Sequence, residues 1–266
     1  MSCGTTKQAY KTTNGINVVD TARYKCTYQF TFLRDSVKMT YNEDLNVIQI
    51  GENFTKSYCY QAFYVDSMDN TPDGRGILAT RAYEVVVNQK SDVGIWSMGI
   101  FKFNVYKDYQ KEKLTVIDKV STNPFIYEEE LKPQDWIILE DTMTIIGYSC
   151  QKAKCSFRGR DWEAWFTPEI PINEGPYKFY GLPGLIMKLK DTESHYYFEL
   201  KGFEKVAEPI YMTVYSHYRA TDRLSFLKLL MNRTGTDLEA MDWAKIGIIS
   251  GGSAVKHYDH IERDYK

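Results

Sequence analysis

Apolar and polar residues alternate strictly between positions 22 and 32. The apolar positions are Tyr24, Cys26, Tyr28, Phe30 and Phe32, and the positions between them are Lys25, Thr27, Gln29 and Thr31. A period of two predicts a β-strand with one buried and one solvated face, as antiparallel sheets have.

Further short apolar runs follow at roughly ten-residue spacing. We predict strands over residues 37–41, 45–51, 101–106, 113–120, 185–189 and 196–203. Residues 142–155 and 162–167 are predicted to form a hairpin, because the turn between them, Arg158–Asp161, contains a glycine and polar residues. Residues 221–233 carry an apolar stripe at helical spacing, with Thr221 as the expected N-terminal cap.

These elements predict a mostly β protein. We expect a single curved antiparallel sheet or a half-open barrel with one or two helices, because one late helix cannot cover the apolar face of so many strands. The expected organisation is a flexible N-terminal tail over 1–20, one β-rich domain over 21–250, and a loose C-terminal tail over 251–266.

Composition narrows the function classes. Aromatic residues make up 15% of the 266 residues, which favours strands over disorder. The net charge is −2, and no dense run of Lys and Arg indicates nucleic acid or an anionic membrane; the total charge carries no information about a local basic patch. No apolar run is long enough for a membrane-spanning helix, and no signal peptide occurs in this sequence.

The segment from Gly147 to Leu189 holds the most distinctive motifs. It contains Gly147-Tyr148-Ser149-Cys150, then a charged turn and Trp162-Glu163-Ala164-Trp165, and finally Gly181-Leu182-Pro183-Gly184-Leu185-Ile186. This order of motifs resembles the GLPGLI family of the Bacteroidetes cell envelope, a family of unknown function. Cys155 departs from the expected pattern, and pairing with a second cysteine is one interpretation.

The resemblance implies an exported protein, located in the periplasm or at the outer membrane. Cys3, followed by small polar residues, is then the expected lipid anchor of a lipoprotein; a free cysteine in a tail is the alternative. The expected partner is an outer-membrane or periplasmic protein or a hydrophobic ligand, with neither nucleic acid nor a transmembrane span.

The hexapeptide itself has a physical interpretation. Gly181 and Gly184 permit backbone angles closed to other residues, and Pro183 pushes Leu182 towards extended geometry. We interpret it as a stiff turn packed under the sheet; the alternative is a loop that closes a ligand cavity.

The hairpin supplies the other candidate binding residues. Arg158 and Arg160 suit a carboxylate or phosphate ligand, and a solvated hairpin tip is the competing interpretation. Trp162 and Trp165 differ in strand parity, so one is expected in the core and the other on the far face.

Catalytic and metal motifs are sparse. The sequence contains no GxSxG, no HExxH and no phosphate-binding glycine loop, so we predict no catalytic residue, no metal and no cofactor. The preferred hypothesis is a non-catalytic protein that binds a partner or hydrophobic ligand through its curved sheet. The alternative is a hydrolase using Asp161, Glu163 or Glu169 around the Trp-rich hairpin, which requires two of these carboxyl groups to converge.

Overall fold

The structure is a computed structural model, and it describes residues 15–69, 71–74, 76–78, 80, 102–120, 123–214, 218–231 and 259–264. Twelve strands in these residues form one sheet. They are β1 (Gly15–Asp35), β2 (Thr40–Ile50), β3 (Phe54–Cys59), β4 (Asn104–Asp108), β5 (Lys113–Val120), β6 (Asn123–Glu130), β7 (Ile137–Ile145), β8 (Tyr148–Phe157), β9 (Arg160–Thr167), β10 (Leu185–Asp191), β11 (Tyr196–Val214) and β12 (Arg219–Ala220).

The strand order is β12-β6-β5-β4-β3-β2-β1-β11-β10-β9-β8-β7. All pairings are antiparallel except that of the two-residue β12 with β6. The ends of the order, β12 and β7, do not pair with each other in the described residues, so the sheet is open. The predicted mostly β fold with one curved sheet is confirmed.

Strand β1 lies at the middle of the order, between β2 and β11. Its alternating apolar residues Cys26, Tyr28, Phe30 and Phe32 are all buried, as the period of two predicted. The hairpin of β8 and β9 is also confirmed, and its two-residue turn, Arg158-Gly159, has positive φ at both positions, as tight hairpin turns require.

The irregular segment 168–184, which we call the inner segment, shows why the sheet must curve. Lys178 contacts Tyr127 and Glu129 on β6, whereas the next residue, Phe179, packs on Trp162 of β9. These two strands are eight positions apart, which is about 38 Å in a flat sheet at about 4.8 Å per strand. One short segment reaches both only because the sheet wraps around it.

Phe179 is the centre of this packing. Its side chain is fully buried, and its ring lies 4.6 Å from that of Trp162, 5.2 Å from that of Phe157 and 6.1 Å from that of Trp136. Aromatic rings at such separations stabilise a core beyond their buried area. The inner segment therefore supplies the second layer that the sheet needs.

Helices α1 (Tyr60–Asp69) and α2 (Arg223–Met231) flank the sheet. The predicted helix near 221–233 is confirmed as α2, but its cap is Asp222, whose carboxylate accepts the backbone N–H and the hydroxyl of Ser225. No helix of the described residues is long and apolar enough to cross a membrane.

Some residues of both predicted tails belong to the folded structure. Residues 15–20 belong to β1, where they pair with β11. Residues 259–264, which we call the C-terminal segment, are packed against the sheet, with Ile261 and Glu262 buried. The expectation of a loose tail is wrong for these six residues, because their charged side chains find buried partners that only the folded chain provides; residues 251–258 lie outside the described residues.

We predict that Phe179→Ala destabilises the protein by about 3–5 kcal/mol, because it removes a fully buried ring that packs on three other aromatic side chains. Urea unfolding followed by circular dichroism measures this. The control is Phe63→Ala on α1, where the ring is half exposed and the expected loss is below about 1 kcal/mol. Equal losses would contradict the central role of Phe179.

Candidate functional site

A cavity of about 420 Å³ lies between the inner segment and the region where β2 ends and β3 begins. Its lining residues are Ile50, Gly51, Thr55, Tyr109, Pro133, Asn173, Glu174, Tyr180 and Gly181. The cavity thus joins β2 and β3 to the first residue of the GLPGLI hexapeptide. Its volume falls in the range of small-molecule sites.

Glu174 is the polar centre of the cavity wall. Its carboxylate accepts hydrogen bonds from the hydroxyls of Thr55, at 2.6 Å, and Tyr109, and it forms an ion pair with Lys107 at 2.7 Å. Lys107 is fully buried and also donates to the carbonyl of Phe179. A buried charge is tolerated only when it is paired and hydrogen-bonded in this way.

The electrostatics of this cluster follow from burial. Burial lowers the pKa of Lys107, and the charge and hydrogen bond of Glu174 oppose that shift. Burial raises the pKa of Tyr109, and the neighbouring Glu174 carboxylate raises it further, so the phenol stays protonated as a hydrogen-bond donor. The hydrogen bond from Tyr109 to Glu174 is thus a fixed feature of the cavity wall.

The cavity also has an apolar wall. The rings of Tyr109 and Tyr180 meet edge to face, with centroids 6.0 Å apart. Lys107 lies 5.1 Å from the centroid of the Tyr180 ring, a cation–π contact. With Ile50 and Pro133, these rings give the site both a hydrophobic and a polar side.

The hexapeptide is built as the sequence predicted. Gly181 has φ of +94°, and a Cβ there would meet Pro133 at 2.5 Å. Gly184 has φ of +153°, and a Cβ there would lie 2.1 Å from the carbonyl oxygen of Thr167. Neither position accepts a side chain without rearrangement. Pro183 is exposed.

The apolar residues of the hexapeptide, Leu182, Leu185 and Ile186, are buried in the core, as predicted. This position agrees with the interpretation of the hexapeptide as a turn packed under the sheet, whereas closure of a ligand cavity stays a prediction. The hexapeptide is a packed turn, and through Gly181 it borders the cavity.

The structure places Arg160 in the interior and not at a solvated tip. Its guanidinium forms ion pairs with Asp191, at 2.8 Å, and Asp259, at 2.6 Å, and it donates to the carbonyls of His260 and Ile261. The side chain is 1% exposed. Arg160 therefore holds the C-terminal segment of its own chain.

Arg158 makes a similar internal connection. It pairs with Glu129 of β6 and with Asp264 of the C-terminal segment. Arg160 and Arg158 were predicted to bind a ligand carboxylate or phosphate, and the carboxylates that they contact belong to this chain. Binding of an external anion by either residue stays a prediction.

The two tryptophans lie on opposite faces of β9. Trp162 is buried, and its indole N–H donates to the carbonyl of Phe157 at 3.2 Å. Trp165 is half buried on the outer face, with the ammonium of Lys152 lying 5.6 Å from its ring centroid. This agrees with the parity prediction, and neither residue lines the cavity.

The three carboxylates of the hydrolase hypothesis have separate partners. Glu163 forms ion pairs with Lys152 and Lys154 at 3.2 and 3.1 Å; burial raises its pKa, but these lysines outweigh burial and leave the pKa lowered. Asp161 accepts from the Ser156 hydroxyl, and Glu169 accepts from a backbone N–H. None of the three lines the cavity.

One cluster has the composition of a metal site. Asp191, Glu193 and His195 offer ligand atoms within 4.8 Å of one another. However, the carboxylate of Asp191 is already paired with Arg160, and both oxygens of the Glu193 carboxylate accept hydrogen bonds from Arg263 at 2.6 Å. A cation would have to displace two guanidinium groups, so the arrangement is better explained as an ion-pair network.

His195 belongs to the same network. Its Nδ1 lies 2.5 Å from Asp259 of the C-terminal segment, a contact across 64 residues that no local pattern reveals.

The four cysteines in the described residues are free and buried: Cys26, Cys59, Cys150 and Cys155. The suggested disulfide of Cys155 is therefore not formed. Burial raises the pKa of the Cys155 thiol to about 12, which keeps it protonated and unreactive at neutral pH. Cys3 lies outside the described residues.

The sequence pattern did not indicate a further deeply buried group of charges around Lys178. Lys178 forms ion pairs with Glu262 at 2.6 Å and Glu129 at 2.7 Å. Glu262 also accepts from the Tyr177 hydroxyl at 2.6 Å and pairs with Arg223 of α2 at 2.8 Å. The only sequence signal was the cluster of charged residues after residue 258.

Comparisons with known proteins give one family match. Residues 157–188 match the model of a family described as "Protein of unknown function (Porph_ging)". The matched segment includes β9, the inner segment and the hexapeptide, and so contains the part of the cavity wall from Asn173 to Gly181. No curated protein matches this chain.

Two solved structures are similar to this chain, both described as PNGF-II, in the P21 and C2 space groups. Their TM-scores are 0.48 and 0.47, their identities are 15% and 16%, and each alignment covers 80% of this chain. The chain spans about a third of the length of those proteins, 34% and 33%.

We predict that Glu262→Gln destabilises the protein by about 3 kcal/mol at neutral pH, because it leaves the buried Lys178 without one of its two carboxylates. Burial by itself would raise the pKa of Glu262, but the charge of Lys178 and its hydrogen bonds outweigh burial and hold that pKa at about 2, below the ordinary 4.5. The pair therefore contributes stability above pH 4.5 and loses it as the pH falls towards 2.

Urea unfolding between pH 7 and pH 2 tests this prediction, and the variant is expected to lose less stability with acid than the parent chain. Glu130→Gln is the control, since its pair with Lys132 is exposed and worth below about 1 kcal/mol. An acid profile unchanged by Glu262→Gln would contradict the assignment.

Proposed function

We propose that this chain is a non-catalytic, exported envelope protein that binds a hydrophobic ligand through its curved sheet. The cavity of about 420 Å³ beside the hexapeptide carries this proposal. Its walls come from the sheet on one side and from the inner segment on the other, so a ligand there would contact both layers of the fold.

The chemistry of the walls indicates the kind of ligand. Ile50, Pro133 and the rings of Tyr109 and Tyr180 suit an apolar body. The Glu174 carboxylate and the Asn173 amide on the same wall suit a ligand that also carries a hydrogen-bond donor. We therefore propose an amphiphilic small molecule with an apolar body and a polar end.

The buried charges around the cavity support binding over chemistry. Glu174 is already held by two hydroxyls and an ammonium group, which fixes its position and its charge. Such preorganised polar groups orient a ligand without moving a proton.

We also propose that the chain is a GLPGLI-type lipoprotein of the periplasm or outer membrane, anchored through Cys3. The order of motifs between Gly147 and Leu189 and the family match over 157–188 support this. A partner from the periplasm or outer membrane fits the same proposal.

The alternative, a carboxylate-based hydrolase around the Trp-rich hairpin, has weaker support. It requires two carboxyl groups in one cleft with separated pKa values. Asp161, Glu163 and Glu169 instead have a hydroxyl, two lysines and a backbone N–H as their respective partners.

We predict that Asn173→Trp blocks the cavity, because Asn173 is exposed at its wall and an indole would occupy part of its volume. The probe is N-phenyl-1-naphthylamine, an apolar dye whose fluorescence rises on burial. The variant is expected to bind it at least about tenfold more weakly than the parent chain.

The matched control, Asn123→Trp, makes the same change at an exposed position on β6 and is expected to bind normally. Undiminished binding by Asn173→Trp would exclude this cavity as the site.

We predict that the chain purified from its native cells carries a lipid on Cys3, since a lipoprotein anchor is a thioether-linked cysteine. Intact-mass spectrometry detects the added mass, and Cys3→Ser is expected to move the protein out of the membrane fraction. A native chain without lipid would refute the lipoprotein proposal and leave the cavity proposal intact.

A further inference from the structure

The outer face of β8, β9, β10 and β11 gathers lysines that are scattered along the sequence. Two rows cross these strands side by side: Lys152–Trp165–Lys188–Glu199 and Lys154–Glu163–Lys190–Tyr197. Residues directly opposite each other in an antiparallel sheet share a face. With the neighbouring Lys201, we call these nine residues the basic platform.

The platform is positively charged in a chain that is negative overall. It holds five lysines and two glutamates, whereas the whole chain carries −2. Exposed carboxylates border it, Asp161 on β9 and Glu140 and Asp141 on β7, so the positive excess is confined to the platform itself. Glu163 lies within 3.6 Å of three lysine ammonium groups, those of Lys152, Lys154 and Lys190. One carboxylate cannot neutralise three ammonium groups, so positive charge remains for a partner.

Aromatic rings lie among these lysines. The ammonium of Lys152 is 5.6 Å from the Trp165 centroid, and that of Lys188 is 5.1 Å from the Tyr197 centroid. Trp and Tyr with an apolar body and a polar tip are the residues that membrane interfaces favour, and lysine stems lie along apolar surface while their ammonium groups reach the headgroups.

The edge strand β7 adds exposed apolar side chains beside the platform. Ile137 is directly opposite Lys154 and is 66% exposed. Ile146, in the turn between β7 and β8, is 59% exposed, and Ile138 and Met143 are also exposed. Ile138 is opposite the buried Ala153 and so faces away from the platform. We call the other three side chains, Ile137, Met143 and Ile146, the apolar strip.

The combination distinguishes between acidic partners. A soluble polyanion would pair with the lysines but would not bury the exposed isoleucines. The surface of an anionic bilayer would do both, because its negatively charged headgroups pair with lysines and its acyl boundary buries apolar side chains.

We propose that the basic platform and the apolar strip of β7 together bind the surface of an anionic lipid bilayer. The protein would lie with the outer face of β8–β11 against the headgroups and with Ile137 and Ile146 inserted at the acyl boundary. This contact is independent of the cavity and of any lipid on Cys3, so it neither requires the proposed function nor fails with it.

The test is co-sedimentation of the full-length, unacylated chain with vesicles of phosphatidylcholine alone or mixed with phosphatidylglycerol. We expect binding to the mixed vesicles only. The triple variant Lys154→Gln, Lys188→Gln, Lys201→Gln is expected to bind at least about tenfold more weakly. The control removes three surface lysines elsewhere, by Lys111→Gln, Lys113→Gln and Lys132→Gln, with the same change in net charge and no expected loss.

A second variant separates a bilayer from other acidic partners. Ile137→Ser with Ile146→Ser keeps the charge and is expected to weaken vesicle binding, whereas Val18→Ser with Val37→Ser, at equally exposed positions, is not. Circular dichroism and urea unfolding verify that each variant folds.

Three outcomes overturn the proposal. One is no binding to the anionic vesicles, and another is an equal loss in the platform and control lysine variants. The third is vesicle binding that needs the lysines but not the isoleucines and is matched by binding to heparin in solution, which assigns the platform to a soluble polyanion.

Discussion

The structure depends on the burial of the inner segment within the curve of a single sheet. A sheet with one apolar face must cover it, and the described helices are too few to do so. Residues 168–184 perform this role, with Phe179 against the aromatic residues of β8 and β9 and with Lys178 against β6. The contact joins strands eight positions apart, so the curvature of the sheet and the packing of this segment are one constraint.

Bringing an irregular segment into a core requires partners for its polar groups. Two buried lysines provide part of the solution. Lys107 pairs with Glu174 and binds the carbonyl of Phe179, and Lys178 pairs with Glu129 and Glu262. Breaking one of these pairs would leave an unpaired buried charge, which is strongly unfavourable. The pairs therefore select one arrangement of the chain more than they add net stability. They also place the C-terminal segment and the cavity wall in register with the sheet.

The candidate site is a consequence of this arrangement. The cavity forms where the inner segment faces β2 and β3, next to Gly181, whose backbone angle and close approach to Pro133 exclude a side chain. The GLPGLI hexapeptide is therefore both a structural turn and a boundary of the cavity. Its short match to a family of unknown function covers this same part of the chain.

The sequence by itself determined the local elements. Alternation over β1, the hairpin turn at Arg158-Gly159 and the apolar stripe of α2 depend on neighbours within a few residues, so the pattern is sufficient to predict them. The hexapeptide was predictable for the same reason, since Gly and Pro act on their own backbone angles.

Tertiary structure alone decided the buried position of Arg160, the docking of residues 259–264 and the gathering of lysines from β8, β10 and β11 on one face. These features join residues up to about a hundred positions apart, and periodicity carries no information about which distant charge will find which partner.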